Sequence, residues 1–375
     1  MRKEEGRYRL AAMGDVMLAR DVGRHFADRP ADFQMDDIRA LLGGFDLVCA
    51  NLENPVAAAG QPDPVQDPHV TFRARPETLD VLRNLRVSVV SLGNNHMLDY
   101  GEAALVETLE RLDSAGIKRV GAGRDYDEAN RPLLLECQGR RVAFLSYSFI
   151  YSANTRMAGR NRPGVSDHRL HRILPRIRAL ARSGRDVIVM SHWGHEYSFY
   201  PLPYQMRQAR RMIDAGASLV IGHGPHYPQG IEDYRGGQIV YSLGNFIFDE
   251  PHKFANRSFV YGVEIDASGR PRDHQIFPVH LDRHVPRLVQ AAQKRRIEGL
   301  VSNLSVRYGR EDRSFWRDIS ASYLTDICNR VRRTRSLKYL FVPPWSFYRD
   351  VGPVAISRKL KLRNLLGLSG SFSSR

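Results

Sequence analysis

The first 282 residues alternate short apolar runs, rich in β-branched residues, with longer amphipathic stretches. The short runs are typical of buried strands, and apolar positions three and four apart are typical of helices that pack on a sheet. The alternation predicts a layered α/β domain. Strands are predicted at 8–12, 47–51, 87–92, 141–147, 186–191, 219–222, 238–242 and 259–265, and helices at 76–84, 101–115, 169–182 and 204–215.

Five of the predicted strands run directly into glycine or polar residues. The segments are AAMGD, ANLENP, SLGNNH, SHWGHE and IGHGPH, in chain order. Loops at the carboxyl ends of strands in α/β sheets commonly bind ligands, because the strands hold them rigidly while their sequence varies. The sequence therefore predicts a functional site at this edge.

The alternation stops near residue 283, and the charge changes at the same place. Residues 283–375 carry 20 Lys and Arg against 6 Asp and Glu, a net charge of +14, whereas residues 1–282 have a net charge of +1. We predict a domain at 7–282 followed by a basic, largely helical C-terminal extension at 283–375.

Composition limits the class of protein. A chain of 375 residues that is 42% hydrophobic can bury a full core. The three cysteines are odd in number and far apart, which argues against a disulfide framework. No apolar stretch approaches the ~20 residues of a spanning helix, and the first strand comes too early for a signal peptide. We expect a cytoplasmic or peripheral membrane protein.

Three histidines follow predicted strands. His223 and His226 lie in GHGPH, where glycine and proline favour a tight loop, and His192 follows the apolar run DVIVMS. A single histidine in such a place is more often a satisfied core or capping residue than a ligand. Three of them on strand-end loops favour a functional site.

Carboxylates and amides complement the histidines. Asp15 follows the first strand through Gly14, and Glu53 shares the alternation of Asn51, so that these two side chains would face the same side. Either acid alone is explained by a helix cap or an exposed position. Together with Asn94, Asn95 and His96, which follow the third strand, they offer the ligands that Mn, Fe and Zn accept.

Three residues are candidates for substrate binding: Asn94, beside Asn95 and His96, and two residues from other loops. Asn245, in YSLGNF, follows a strand, and a glycine turn capped by the amide explains it equally well. Trp193 could stack on a substrate, although an aromatic residue beside such a strand more often belongs to the core.

Six ordered blocks carry a family resemblance. GDVMLAR, NLENP, SLGNNHMLDYG, SHWGHEY, GHGPHYPQGIE and YSLGNFIFD resemble the CapA family, named for poly-γ-glutamate capsule synthesis. That family is itself similar to calcineurin-like metallophosphoesterases. The match covers about residues 8–265 and implies a four-layer α/β/β/α sandwich.

The resemblance also implies roles for individual residues. It makes Asp15 and His226 ligands of a first metal ion, and Glu53 a bridge to a second. Asn95, His192 and His223 complete the second ion. His96 becomes a substrate-contacting general acid, and Glu196 an additional ligand or base.

The chain departs from the metallophosphoesterase pattern in three places. Position 17 is Met where Asp-x-His is usual, the bridging residue is Glu53 rather than Asp, and one more residue separates the closing histidines. We therefore expect one or two divalent metal ions (Mn, Fe or Zn).

The expected function is metal-dependent hydrolysis, of the phosphoesterase type, in capsule or poly-γ-glutamate synthesis. The alternative is a non-enzymatic accessory protein of polymer synthesis or export. Expected partners are an anionic polymer or a phosphoester substrate, with contact to a membrane surface or to the capsule-synthesis machinery. Nucleic acid is disfavoured, although a nucleic-acid-binding role of the basic extension stays a third hypothesis.

Overall fold

The computed structural model describes residues 6–150, 154–249, 254–306 and 308. It contains the predicted alternation of strands and helices. In chain order, the strands are β1 (Tyr8–Val16), β2 (Leu47–Leu52), β3 (Val89–Ser91), β4 (Lys118–Val120), β5 (Ala122–Gly123), β6 (Leu133–Cys137), β7 (Arg140–Ser148), β8 (Gly164–Val165), β9 (Asp186–His192), β10 (Ala217–His223), β11 (Ile231–Tyr234), β12 (Gly237–Val240), β13 (Asn245–Ile247), β14 (Arg257–Ile265), β15 (Pro271–Asp282) and β16 (Val285–Leu288).

The helices connect these strands. In chain order they are α1 (Arg20–Asp28), α2 (Asp36–Leu42), α3 (Leu79–Asn84), α4 (Gly101–Ser114), α5 (Tyr126–Asn130), α6 (Leu170–Arg182), α7 (Pro203–Asp214) and α8 (Ala291–Ser305). Short 3₁₀ turns lie at Pro30–Gln34, Pro68–Val70 and Pro76–Thr78.

Two mixed sheets form the centre of the fold. The first has the strand order β16-β15-β14-β1-β2-β3-β4, with β13 also paired to β1, and β1 to β4 run parallel. The second has the order β11-β12-β10-β9-β7-β6, with β7, β9, β10 and β12 parallel. The parallel strands of each sheet end at one edge, so their terminal loops gather there.

Three apolar cores show how the layers stack. Leu10 of β1 and Ile221 of β10 share a core between the two sheets. Ala11 faces the opposite side and packs with α1 to α4, whereas Val220 packs with α6 and α7. Successive side chains of a strand point to opposite faces, so each sheet is buried on both. The arrangement is α/β/β/α, which confirms the predicted four layers.

The predicted strands and helices are all present, with ends that differ by a few residues. Asp15 lies within β1 rather than after it, at a register irregularity in the pairing with β2 and β13. The pattern missed several short or partly exposed elements, among them β6, whose first four side chains alternate between half-buried and exposed, and the short helices α1 and α2.

The first sheet continues beyond residue 282. Strand β16 pairs with β15, and α8 packs against β11, β14 and β15. The boundary at 282/283 stays a prediction, and most of the basic extension lies outside the described residues. Among the described helices, none has the length and apolar character that a membrane span requires.

Gly222, next to His223, is expected to tolerate no side chain. A Cβ atom there would lie 1.9 Å from the carbonyl oxygen of Tyr241 and 2.6 Å from Nε1 of Trp193. Both neighbours belong to the packed interior, so Gly222→Ala must push β10 away from β12. We expect a loss of about 3 kcal/mol of unfolding free energy, measured by chemical denaturation.

Gly299→Ala is the matched control. Gly299 lies inside α8, and a Cβ atom there would meet nothing within 4 Å. Because alanine loses less backbone entropy than glycine in a helix, this change should stabilise the fold by roughly 0.5 to 1 kcal/mol. Equal destabilisation by the two substitutions would contradict the close approach of β10 and β12.

Candidate metal centre

Strand ends of both sheets bring the predicted polar residues together. Asp15 belongs to the end of β1, and Glu53 directly follows β2. His192 and His223 are the last residues of β9 and β10 and lie opposite each other in the sheet register. All four are buried, with exposed fractions of 2% or less.

The Glu53 carboxylate lies among three imidazole rings. Its Oε1 atom is 3.7 Å from Nε2 of His226, 3.9 Å from Nε2 of His192 and 4.0 Å from Nε2 of His96. This buried oxygen has no hydrogen-bond partner among the described residues. A buried charged oxygen without a partner is costly, unless a cation or proton completes its surroundings.

Asp15 contacts both histidines at and directly after the end of β10, His223 and His226. Its Oδ1 is 3.3 Å from Nδ1 of His223, and its Oδ2 is 3.4 Å from Nδ1 of His226. The backbone N–H of Gly224 donates to Oδ2 at 3.2 Å. His226 has a φ of 61°, in the left-handed region that non-glycine residues rarely adopt. Such backbone strain is common where a side chain is held for function.

The amide of Asn51 lies at the centre of the cluster. Its Nδ2 donates to Oδ1 of Asp15 at 2.9 Å and to Oε2 of Glu53 at 3.4 Å, and it lies 3.3 Å from Nδ1 of His192. The predicted shared face of Asn51 and Glu53 is therefore present. Asn51 thus orients both the Asp15 carboxylate, at the end of β1, and the Glu53 carboxylate, which follows β2.

The loop after β3 positions His96. Its Nδ1 lies 2.8 Å from Oδ2 of Asp99, and its ring stacks on Phe72 with centroids 4.4 Å apart. Asp99 is itself fixed, since it also accepts from the Phe72 N–H and from Nδ2 of Asn154, each at 2.8 Å. The Nε2 atom of His96 thus points towards Glu53.

Burial and the neighbouring charges shift the pKa values of several side chains in the cluster. Burial lowers the pKa of His192 to about 3. Burial also acts to lower the pKa of His226, but the charges of Glu53 and Asp15 outweigh it and raise that pKa to about 10. Burial and the nearby Asp15 raise the pKa of Glu53 well above its usual range. Neutral imidazole and anionic carboxylate are the forms that bind metal, so a metal ion would compete with these protons.

The donor set fits a divalent metal ion. Ligand atoms of Asp15, Glu53 and His192 lie within 4.8 Å of one another. Both ring nitrogens of the buried His223 lack a hydrogen-bond partner among the described residues. Two atoms each about 2.1 Å from one ion are about 3.0 to 3.5 Å apart at octahedral or tetrahedral angles. The Asp15–histidine separations of 3.3 and 3.4 Å lie in this range, and the Glu53–histidine separations of 3.7 to 4.0 Å are somewhat longer. Carboxylate with imidazole suits Mn, Fe or Zn.

Two placements bear on the number of ions. His223 contacts Asp15, although the resemblance assigns these residues to different metals. Met17, where the usual pattern has histidine, packs in the core beneath α1 to α4, and its sulfur accepts from the Ala19 N–H. No metal ligand is therefore supplied from position 17.

The remaining candidates lie in and around the cluster. Asn95 is buried, and its backbone carbonyl accepts from the Thr155 hydroxyl. Oδ1 of Asn245 lies 2.8 Å from Nδ1 of His226, which fixes that ring. Glu196 is partly exposed on the loop after β9, and its charge raises the pKa of Glu53 and of His226.

Two residues proposed for substrate binding have internal partners. Trp193 is fully buried and donates to the carbonyl of Tyr241 at 2.9 Å, which favours the packing alternative. Asn94 donates to Oδ1 of Asn51 and to the carbonyl of Leu52, and its Oδ1 accepts from the His96 N–H. Its amide closes the His96 loop.

Sequence reasoning did not single out Asp99 and Phe72, and it gave Asn51 no role of its own. Asp99 carried a signal, because it follows His96 by three residues in HMLD, a spacing that lets a carboxylate reach the ring. Phe72 carried none. It comes from a loop that only the tertiary fold brings beside His96.

Metal should stabilise the protein through Glu53. At a concentration 100 times its Kd, a ligand of the native state contributes about 2.7 kcal/mol, which corresponds to a rise in Tm of about 5 to 10 °C for a domain of this size. We expect that rise when chelator-treated protein receives Mn or Zn, measured by scanning calorimetry. Glu53→Gln, which removes the central carboxylate, should lose most of it.

Asp80→Asn serves as the control for that experiment. Asp80 is an exposed acid on α3, paired with Arg83 on the same helix. Its variant should keep the full metal-dependent rise in Tm. The same rise in Glu53→Gln would place the metal elsewhere on the protein.

Comparison with known proteins supports the family resemblance that the six sequence blocks carry. A family model described as bacterial capsule synthesis protein PGA_cap matches residues 9–250. The PGA biosynthesis protein CapA of Bacillus subtilis is 29% identical over 314 residues, covering 83% of this chain and 82% of that protein. A Mycobacterium tuberculosis protein named "Probable polyglutamine synthesis accessory protein" is 32% identical over 326 residues, with coverage of 81% and 84%.

The fold was also compared with solved structures. The NAD nucleotidase of Haemophilus influenzae overlaps with a TM-score of 0.43 at 10% identity. The overlap covers 79% of this chain and 56% of the nucleotidase.

Proposed function

The chain belongs to the PGA_cap family of bacterial capsule synthesis proteins, and from that premise we propose that it is a metal-dependent phosphoesterase acting in capsule polymer synthesis. The observation that carries the proposal is Oε1 of Glu53. This buried oxygen has no hydrogen-bond partner among the described residues and faces three imidazole nitrogens at 3.7 to 4.0 Å. Such an arrangement is costly unless a cation or a proton completes it, and the surrounding histidines and carboxylates favour a metal cation as the native occupant.

The residues that would hold the metal come from both sheets. Asp15 and Glu53 supply anionic oxygen, and His192, His223 and His226 supply imidazole nitrogen, with Asn95 as a further oxygen donor. Divalent metal, when bound, would lower the pKa of a water molecule and neutralise charge on a phosphoester.

The chain itself would handle the proton for the leaving group. The His96 Nδ1–H donates to Asp99, so Nε2 is the atom that faces the centre. Imidazole is the side chain most often used to transfer a proton to a leaving oxygen. Asp99 and the stacked Phe72 hold the ring in place, and we assign them positioning roles.

Supporting side chains fix the ligands before any substrate arrives. Asn245 accepts the Nδ1–H of His226 and thereby leaves its Nε2 directed at Glu53. Asn51 joins Asp15 and Glu53 across two strands. Partners of this kind commonly tune metal affinity by orienting the ligand. Glu196, near Glu53 and His226, is a further candidate for proton transfer.

A second function is favoured by one observation. Because Met17 packs in the core, the site has one ligand fewer than the usual metallophosphoesterase pattern. An accessory protein of polymer synthesis could keep the fold and a single structural metal without catalysing hydrolysis. The name of the M. tuberculosis relative describes such an accessory role for that protein.

A substrate screen distinguishes the two functions. Full-length protein would be stripped with chelator, reloaded separately with Mn, Fe or Zn, and tested on generic phosphomonoesters and phosphodiesters. Hydrolysis that requires the added metal and disappears in His96→Gln supports the phosphoesterase. Protein that holds stoichiometric metal but hydrolyses none of these esters favours the accessory function instead.

A further inference from the structure

Helix α6 and its flanks carry charge of one sign. From His168 to Arg185 the chain contains six arginines and two histidines but no aspartate or glutamate. The helix packs on the outer side of the second sheet, with Ile173, Leu174 and Ile177 turned inwards. Its polar side is therefore available to solvent.

Three of these arginines define what we call the α6 basic face: Arg172, Arg178 and Arg182. All three are exposed, and no carboxylate within the described ranges forms an ion pair with them. Arg169, by contrast, is held by Asp167, and Arg176 lies 3.5 Å from the Tyr147 hydroxyl.

The helices on the other side of the molecule are built differently. Each of α1 to α4 pairs an arginine with an acid three or four residues away on the same helix, a spacing that stabilises a helix. These pairs are Arg24 with Asp21, Arg39 with Asp36, Arg83 with Asp80, and Arg111 with Glu107. The unbalanced charge of α6 is thus a feature that α1 to α4 do not share.

Helix α6 contains repulsive contacts where the other helices contain attractive ones. Arg178 and Arg182 lie four residues apart, and so do Arg172 and Arg176. Like charges at this spacing destabilise a helix by roughly as much as opposite charges stabilise it. An anion bound along the face would relieve that repulsion.

The basic surface extends to the neighbouring helix. Helix α7 packs beside α6, and the two come very close at their carboxyl ends, where a Cβ on Gly216 would lie 2.6 Å from Cβ of Ala181. Arg207 and Arg211 are exposed on α7. A long ligand would therefore meet positive charge on both helices.

We propose that the α6 basic face binds a linear polycarboxylate, an inference that rests on the proposed function for the identity of the polymer. Arg172 and Arg182 are separated by about 15 Å along the helix at 1.5 Å per residue, so a chain with repeating carboxylates meets several guanidinium groups at once. Arginine suits this ligand because its planar guanidinium pairs with a carboxylate through two hydrogen bonds.

The composition of the face argues against a membrane as the partner. A helix that lies on a lipid surface buries large apolar side chains among the lipids. Among the described residues, the exposed large hydrophobic side chains are Val65, Val70, Leu134, Phe254 and Val306, and none belongs to α6 or α7.

The face also leads towards the metal centre. The chain leaves the carboxyl end of β7, enters α6, and returns to the start of β9, which is parallel to β7. The amino end of α6 therefore lies on the sheet edge that carries His192. A polymer held along α6 would extend to the edge where we place the phosphoesterase site.

The test compares two full-length triple variants with the same loss of charge. R172Q/R178Q/R182Q removes the α6 basic face, and R24Q/R39Q/R83Q removes three exposed arginines from the opposite helical layer. Binding of labelled poly-γ-glutamate would be followed by fluorescence anisotropy at low and moderate salt. Any background binding by the basic extension is common to both variants.

We expect the α6 variant to bind about tenfold more weakly than the parent protein and to show a smaller salt dependence, and the control variant to bind within about twofold. Equal weakening in both variants, or unchanged binding in the α6 variant, would overturn the proposal. The proposal would also be overturned if the parent protein bound double-stranded DNA or anionic lipid vesicles as tightly as poly-γ-glutamate, with the same dependence on the α6 arginines.

The same proteins separate this proposal from the phosphoesterase. The α6 variant should keep the metal content and the ester hydrolysis of the parent protein, because its substitutions lie on an exposed helix face. Polymer binding that depends on α6 in a protein without hydrolytic activity would sink the phosphoesterase alone.

Discussion

Replacing His192 and His223 together with alanine is expected to remove nearly all bound metal. The two side chains end adjacent strands of the second sheet, both are buried, and neither ring nitrogen of His223 has a hydrogen-bond partner among the described residues. Loss of two imidazole ligands leaves Asp15 and Glu53 with His226. We expect less than about a tenth of the parent metal content by elemental analysis, since each lost interaction weakens metal binding at least tenfold.

Loss of metal must be separated from loss of fold. H274A/H280A removes two histidines from β15, outside the cluster, and should retain the metal. Circular dichroism and the Tm of chelator-treated protein would show whether each double variant folds. A folded H192A/H223A protein that keeps stoichiometric metal would falsify the assignment of this centre.

Substitution of His96 is expected to lower the rate of hydrolysis strongly and to leave the metal content unchanged. Nε2 of His96 lies 4.0 Å from Oε1 of Glu53, while Nδ1 is held by Asp99. A general acid typically contributes 10²- to 10⁴-fold to a rate, so we expect kcat of His96→Gln to fall by about that factor. Metal content should stay unchanged, because His96 is not among the proposed metal ligands.

Asp99→Asn separates positioning from acid catalysis. The carboxylate of Asp99 orients the His96 ring, so its amide variant should lower kcat by about tenfold to a hundredfold and alter the pH profile without removing metal. His69→Gln is the control: it changes an exposed histidine three residues before Phe72 and should have little effect on kcat. Full activity in His96→Gln would rule out this residue as the acid.

The pattern of apolar residues predicted much of the layered fold. Strands such as β9 and β10 are buried on both faces and read as continuous apolar runs, so their positions were clear from the sequence. Strand β6 was missed because its alternate side chains are only half-buried and its apolar residues include an exposed Leu134. Short helices such as α2 lack the length over which helical periodicity becomes recognisable.

Local sequence also located the candidate site, for a physical reason. Parallel strands end at a common edge, so polar residues that follow apolar runs must meet there in an α/β sandwich. Asp15, Glu53, His192, His223 and His226 were each found in this way, and the structure brings them into contact.

Contacts between distant segments could not be read from local patterns. Phe72, which precedes α3 in the chain, stacks on His96, which follows β3. Trp193 packs inwards rather than towards the site. The contact of His223 with Asp15 depends on how the two sheets are stacked. Such distances follow from packing among residues far apart in the chain.

The sequence by itself determined the family, the layered α/β class and the residues capable of binding metal, because periodicity and motif order are properties of neighbouring residues. Only the tertiary structure decided which of those residues meet, which nitrogen of His96 faces Glu53, and which helix carries unpaired charge. These features depend on the relative placement of two sheets, and that placement is set by a core shared between strands more than 200 residues apart, such as β1 and β10.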